Sequence, residues 1–210
     1  MIFASLVAIP RDYWGDFGGT PRHAAPLPEG AGRFGMVMFL LSLTALFAPL
    51  VVAFAYFRFM LPGPWPPEGL PPFPRGFFVS TALLMATTAT LHASLRSVRR
   101  GQTRRLRRRV VAALVLGIAF LATQGSLWVH YLGHHVPAEV WRFAGLFYFF
   151  AILHALHVTG GLIPLVVVTG HTLRGRYDTG RHAPLLYCTY YWHFLDAIWL
   201  IMFVTVFWPG

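Results

Sequence analysis

The sequence predicts an all-α, polytopic membrane protein: a bundle of five transmembrane helices with a cytoplasmic N-terminus and an outside C-terminus. Three observations support this prediction, namely the composition, five long apolar segments and an uneven distribution of arginine. Of the 210 residues, 56% are hydrophobic and only 11% are charged, and the mean hydropathy is +0.58. A soluble domain carries roughly 25% charged residues, so this chain cannot cover a water-facing surface.

Five segments reach the ~20 mostly apolar residues that a helix needs to cross the hydrocarbon. They are residues 34–60, 76–95, 110–131, 143–168 and 184–207. The second segment is rich in Ser and Thr and contains His92, so we expect it to face other helices more than lipid. Residues 1–32 are predicted to form a surface tail, because their apolar start is too short to span and the layout of a cleaved signal peptide is missing. Residues 33–210 form the predicted transmembrane domain.

The basic residues are all arginine, and eight of the 17 lie between residues 96 and 109. With five spans, 14 arginines fall on the side of the N-terminus and three on the other side, which makes the first side cytoplasmic. We interpret the run first as a topology signal rather than a nucleic-acid site. A patch that binds anionic lipid is the sharper alternative, and the two roles can coexist. The patch residues are Arg99, Arg100, Arg104, Arg105, Arg107, Arg108 and Arg109.

Four ionisable residues lie at membrane depth in the last two spans. His154 and His157 belong to the fourth span, and His193 and Asp196 belong to the fifth. Charged groups at the bilayer centre cost roughly 2.5–3.5 kcal/mol, so each of these residues should face protein and have a partner. The members of each pair are three residues apart and share a helix face. We therefore expect an interhelical polar cluster in which Asp196 pairs with His157 or His193.

The histidines allow several interpretations. They can fix the helix register through hydrogen bonds, relay protons, bind a metal or haem, or contact lipid head groups. No carboxylate pair or fourth ligand accompanies them, so no metal site is assigned. The single cysteine, Cys188, excludes a disulfide framework and a cysteine-based metal site.

The closing pair of spans resembles subunit III of the haem-copper oxidases, in its short five-helix bacterial form. The family pattern is H-G-L-H-V with a trailing Gly, followed by W-H-F-x-D-x-x-W, and this chain has HALHVTGGLI and then YYWHFLDAIWL. The matching residues are His154, Leu156, His157, Val158, Trp192, His193, Phe194, Asp196 and Trp199. Three upstream motifs also follow the family: GMVMFLLS, WPPEGL and LGIAFLATQGS, which contains Gln124.

The resemblance implies a non-catalytic subunit of a respiratory oxidase in a bacterial cytoplasmic (inner) membrane. Such a chain binds no redox cofactor. It packs beside the catalytic subunit I, which carries haem and copper, in a complex that also contains subunit II. It binds phospholipid and sustains the proton supply for oxygen reduction. Three alternatives stay open: a subunit-III-like protein of a nitric oxide reductase system, an independent b-type cytochrome ligated by these histidines, and a small transporter, which the absence of internal repeats disfavours.

The chain departs from the family pattern at two positions. In the family, an acidic residue usually comes directly after the serine of the first span, and here that position holds Leu43. Another acidic residue usually comes three residues after the glutamine of the third span, and here that position holds Leu127. Asp196 is then the only carboxylate deep in the membrane. Because the histidines lose two acidic partners, the expected pairing of Asp196 with a histidine becomes more important to the bundle.

Overall fold

The computed structural model describes residues 30–60, 75–132 and 141–207. These residues form five helices, which we number in chain order. They are α1 (Ala31–Phe59), α2 (Gly76–Arg99), α3 (Thr103–Leu132), α4 (Trp141–Leu173) and α5 (Ala183–Phe207). Almost all of the predicted N-terminal tail and most of the two predicted outer loops lie outside the described residues.

The all-α class is confirmed, and each of the five predicted spans corresponds to one helix. By length and hydropathy, four stretches are able to cross a membrane: Ala31–Phe59, Gly76–Arg99, Thr103–Val129 and Gly145–Leu173. They belong to α1, α2, α3 and α4, whereas α5 is not among the four. The protein is therefore a multi-pass membrane protein.

The arginine run differs most from its predicted structure. It was expected to connect two spans, yet α2 continues to Arg99 and α3 begins at Thr103. Arginine is a good helix former, so the helices extend beyond the part that the hydrocarbon would cover. The length of an apolar segment measures only the part of a helix that lies in hydrocarbon. It therefore underestimates the full length of α2 and α3 where they meet.

A glycine cap ends α2. Gly101 has a left-handed φ of 64°, which a residue with a Cβ adopts only at a cost of roughly 1–2 kcal/mol. Its N–H donates to the carbonyl of Val98 at 3.0 Å, and the N–H of Gln102 donates to the carbonyl of Ser97 at 2.9 Å. These two bonds form a Schellman motif and satisfy the last carbonyls of the helix.

The connection between α4 and α5 is equally tight. Gly175, with φ 71°, follows the end of α4. The Asp178 carboxylate then accepts hydrogen bonds from the N–H groups of Arg181 at 2.7 Å and Gly180 at 2.8 Å. These bonds stabilise the ionised carboxylate and hold the pKa of Asp178 below its usual range. The short turn makes α4 and α5 antiparallel neighbours.

Four helices form a closed ring, and the fifth lies outside it. Helices α2, α3, α4 and α5 each pack on the next, and α5 returns to α2, whereas within the described part of the chain α1 packs only on α4 and α5. Large side chains fill the ring: Phe120, Phe150, Leu165, Trp192 and Trp199 are all at most 1% exposed. The ring therefore carries the site residues of both closing helices.

Arg109 ties the C-terminal end of α2 to the N-terminal end of α3. Its Nη1 donates to the carbonyl of Ala93 at 2.7 Å and to the hydroxyl of Ser97 at 2.5 Å. The side chain is partly buried, whereas the other arginines of the predicted patch are exposed. Arg109 is thus engaged within the bundle and differs from its neighbours in the run.

We predict that Arg109→Ala lowers the free energy of unfolding in detergent by about 1.5–3 kcal/mol, because two hydrogen bonds from a charged donor are lost. Arg108→Ala is the matched control, since Arg108 is exposed and adjacent. It should change the same quantity by less than about 0.5 kcal/mol. Equal effects of the two substitutions, measured by chemical denaturation, would contradict the role of Arg109.

Candidate functional site

Trp199 stands at the centre of the ring and joins three other helices. Its Nε1–H donates to the hydroxyl of Thr81 on α2 at 2.9 Å, and that hydroxyl donates to the carbonyl of Phe77 at 2.8 Å. The indole lies against the ring of His154 on α4, with centroids 5.2 Å apart and planes 30° apart. Phe120 on α3 packs edge-on against both rings, at 5.8 and 6.4 Å. This layer fixes the register of all four ring helices.

His154 is therefore an interior residue. It is 1% exposed, and neither ring nitrogen has a hydrogen-bond partner among the described residues. Gln124 is also 1% exposed, and neither its amide nitrogen nor its amide oxygen has a hydrogen-bond partner among the described residues. Both side chains, His154 from the predicted polar cluster and Gln124 from the family motif, therefore lie in the interior of the bundle.

His157, one turn along α4, points to a different neighbour. Its ring is edge-on to Phe47 of α1, with centroids 5.0 Å apart. Its Nδ1 lies 2.7 Å from the carbonyl of Leu153, so this nitrogen carries the proton and donates. His157 thus contacts α1, the helix outside the ring.

Tyr191 connects α5 to the backbone of α4 at the same level. Its hydroxyl donates to the main-chain carbonyl of His157 at 2.9 Å. The ring lies against Gly161, where an added Cβ would stand 2.7 Å from Tyr191 Cε1. The glycine that trails the histidines in the sequence motif is therefore required by close packing.

His193 and Asp196 face α2 instead of α4. The ring of His193 contacts the ring of His92, with centroids 5.7 Å apart, and both side chains are exposed. The half-buried carboxyl of Asp196 faces the hydroxyl of Thr88. Neither Thr88 Oγ1 nor Asp196 Oδ1 forms a hydrogen bond with the described residues.

The expected pairing of Asp196 with His157 or His193 is consequently not formed; the one ion pair among the described residues joins Arg181 to Asp178. Residues three apart on a helix differ in direction by about 60°, which is enough to send them to different neighbours inside a bundle. Among the residues described, no group of three His, Cys, Asp or Glu side chains could hold a metal ion.

A comparison with known families assigns the chain to one of them. A sequence model of the family described as cytochrome c oxidase subunit III matches residues 8–210. The chain belongs to this family. As a subunit III chain, it is part of a cytochrome oxidase complex, and the family assignment made from the closing motif is confirmed.

Individual relatives cover most of the subunit III chain. A probable cytochrome c oxidase subunit 3 of Mycobacterium leprae is 30% identical over 173 residues, which are 82% of this chain and 85% of that protein. A cytochrome c oxidase subunit 3 of Synechocystis sp. is 30% identical over 83% of this chain and 74% of that protein. The cytochrome c oxidase subunit 3 of Mus musculus is 26% identical over 90% of this chain and 73% of that protein.

Two further motif positions among the described residues of the subunit III chain, Gly117 and Leu127, serve close packing. An added Cβ on Gly117 of α3 would stand 2.9 Å from Trp192 Cη2, so the indole lies directly on the helix backbone. Leu127 packs on α2 in the same way, since an added Cβ on Gly76 would stand 2.6 Å from Leu127 Cδ2. Leu43 is 9% exposed on α1. Of the two leucines that replace the usual acids, Leu127 thus contacts another helix and Leu43 is buried.

Sequence reasoning overlooked four partners: Phe47, Thr81, Thr88 and Tyr191. Thr81 and Thr88 carried a usable signal, because hydroxyl residues were concentrated in a span that also contains His92. The glycine after the histidine pair was a signal for Tyr191, since a glycine in a helix interior indicates close approach of a neighbour. No sequence signal distinguished Phe47 from the other apolar residues of α1.

We predict that Tyr191→Phe lowers the stability of the bundle in detergent by about 0.6 kcal/mol and by no more than about 1.7 kcal/mol, as interhelical hydrogen bonds in membranes do. Tyr190→Phe is the matched control, because Tyr190 is exposed and has no hydrogen bond recorded among the described residues. Its stability should be unchanged in the same denaturation measurement. A larger effect at Tyr190 than at Tyr191 would refute the α4–α5 link.

Proposed function

We propose that this chain is the non-catalytic subunit III of a terminal haem-copper oxidase and that it stabilises the catalytic subunit. The observation that carries the proposal is the closing α4–α5 hairpin. Its motif residues Trp192 and Trp199, and the adjacent Tyr191, hold the helices together. Packing residues of this kind suit a subunit that supports a partner.

In this proposal, dioxygen is reduced at the haem and copper of a partner subunit I, and subunit II belongs to the same complex. This chain binds no redox cofactor of its own. A metal or haem ligated jointly by His154, His157 and His193 is disfavoured, because these side chains face the ring interior, α1 and α2 respectively. A contribution to proton supply would fall to these histidines and Asp196.

Five membrane crossings with a cytoplasmic N-terminus are part of the same proposal. The shared packing of α5 with α2 and α4 supports α5 as the fifth crossing, since both neighbours are apolar enough to span. Antiparallel alternation then puts the α2–α3 and α4–α5 turns on one side. The arginines of both turns indicate that this side is the cytoplasm of a bacterial cell.

The exposed arginines of the α2–α3 turn are proposed to bind the head groups of anionic phospholipids. Each basic residue near such a surface contributes about 1 kcal/mol. At the start of α3 the cluster lies at the positive end of a helix dipole, and the first turn has no acidic residue. Anionic head groups would offset this accumulation of like charge. The six residues are Arg99, Arg100, Arg104, Arg105, Arg107 and Arg108.

We expect the tagged chain, after mild detergent extraction, to co-purify with a haem-containing polypeptide that has an oxidase absorption spectrum. Co-purification is expected because the haem belongs to the partner. For the same reason, His157→Ala should leave the haem spectrum of the recovered complex unchanged. Migration of the wild-type chain alone as a colourless monomer would count against the proposal. A Soret band of the isolated chain that disappears in His157→Ala would favour an independent cytochrome.

Replacing Arg104, Arg105, Arg107 and Arg108 together with glutamine should reduce the anionic phospholipid retained by the purified protein, because the head groups lose their counter-charges. Quantitative lipid analysis measures the loss. A reporter fused to the C-terminus, active only outside the cytoplasm, should stay active in wild type and variant and so verify the orientation. Unchanged lipid content in a correctly oriented variant would contradict the lipid site.

A further inference from the structure

Three buried polar atoms on α2 and α5 have no hydrogen-bond partner among the described residues. They are Nε1 of Trp192, Oδ1 of Asp196 and Oγ1 of Thr88. Trp192 is fully buried and Thr88 is 2% exposed, whereas Asp196 is half-buried. A buried donor or acceptor that lacks a partner destabilises the folded state, so each of these atoms requires an explanation.

The helix geometry brings the three side chains together. Trp192 and Asp196 are four residues apart on α5, so their Cβ atoms lie about 5–6 Å apart on one side of the helix. The Asp196 carboxyl also faces the hydroxyl of Thr88, across the contact between α5 and α2. The carboxyl is therefore a neighbour of both the indole and the hydroxyl, and we call the three residues the Trp192–Asp196–Thr88 cluster.

The hydroxyl of Thr88 differs from the other buried hydroxyls of α2. Each of those donates to a carbonyl three or four residues earlier in its own helix, and a similar bond to the helix backbone is the common arrangement for Ser and Thr in helices. The hydroxyl of Thr88 is instead directed to Asp196 on the next helix. The five residues that form the internal bond are Ser80, Thr81, Thr87, Ser94 and Ser97.

The neighbouring side chains are engaged elsewhere. His157 has its ring against Phe47, and its Nδ1 donates within α4. The ring of His193 contacts His92. The indole of Trp192 is held against the backbone of α3, since an added Cβ on Gly117 would stand 2.9 Å from its Cη2. The indole therefore has no room to move freely toward a new partner.

The three polar groups restrict the chemistry of a ligand between them. An indole N–H only donates a hydrogen bond, an ionised carboxylate only accepts, and a hydroxyl can do either. A metal cation cannot accept a bond from the N–H, and an anion is repelled by the carboxylate. The ligand must be small, neutral and able to donate and to accept. Water has these properties, and buried water typically forms about three hydrogen bonds to otherwise unsatisfied groups.

We propose that the Trp192–Asp196–Thr88 cluster binds one ordered water molecule between α2 and α5. The water accepts a hydrogen bond from the indole N–H, donates one to Asp196 Oδ1 and forms a third with the hydroxyl of Thr88. This inference goes beyond the proposed function, because it concerns the interior of this chain and holds whichever partner the chain has. It gives Asp196 the polar partner that the histidines do not supply. It also gives the one-turn spacing of Trp192 and Asp196 a physical purpose.

The first test is an experimental structure of the full chain, as isolated from its native membrane, at a resolution that shows ordered water. A solvent density peak should lie within about 3.2 Å of all three atoms of the cluster. The Nε1 of Trp199 is the internal control, because it donates directly to Thr81 and should have no water beside it. Absence of the peak at the cluster, or a direct bond from Trp192 to Asp196, would overturn the inference.

A double-mutant cycle provides an independent test. Trp192→Phe and Thr88→Val each remove one bond to the same water. Their combined effect on the unfolding equilibrium constant in detergent should therefore differ at least about twofold from the product of the single effects. Thr87→Val is the matched control, because Thr87 is adjacent and buried and donates to the carbonyl of Leu83. Its effect should multiply with that of Trp192→Phe. Equal coupling of the two threonines to Trp192, or none, would refute the water bridge.

Discussion

The polar groups of this bundle must find their partners within protein, because hydrocarbon offers none. The bond from Trp199 to Thr81 meets this requirement between α5 and α2, and the bond from Tyr191 to the carbonyl of His157 meets it between α5 and α4. Without a hydrophobic driving force between helices in lipid, such bonds and close packing determine which helices associate. The closed ring of α2 to α5 depends on them, and α1 is attached to it mainly by apolar and aromatic contacts.

Close packing in the ring depends on glycine as much as on the large side chains. Trp192 lies on Gly117, and Tyr191 lies on Gly161, so two aromatic side chains of α5 reach the backbones of α3 and α4. A Cβ at either position would push the helices apart and move the donors away from their acceptors. The aromatic residues of α5 and the glycines of its neighbours therefore act as one unit, which explains why these two residue types occur together in the packed helices.

Much of the fold could be predicted from sequence, and the reason is physical. Apolar length and charge bias are properties of single segments, so the helices followed from composition without any knowledge of their neighbours. The directions of His154 and His157 could not be predicted in the same way, because they depend on which helix lies on each side. The same limitation applied to Asp196, whose neighbour is Thr88 of α2. Thr88 is far from Asp196 in the sequence, and the sequence indicated only that its helix is polar.

The two leucines that replace the family's usual acids clarify how this bundle is built. Leu127 packs on Gly76 at the N-terminal end of α2, and Leu43 is buried on α1. A buried carboxylate at either position would need a partner, and breaking such a pair is costly, whereas leucine fills the space without that requirement. Of the histidines in these helices, His154 lies in the interior on Trp199, and His193 contacts His92 between α5 and α2. Helix α5 thus closes the ring with one face, through Trp199, and presents His193 on an exposed face.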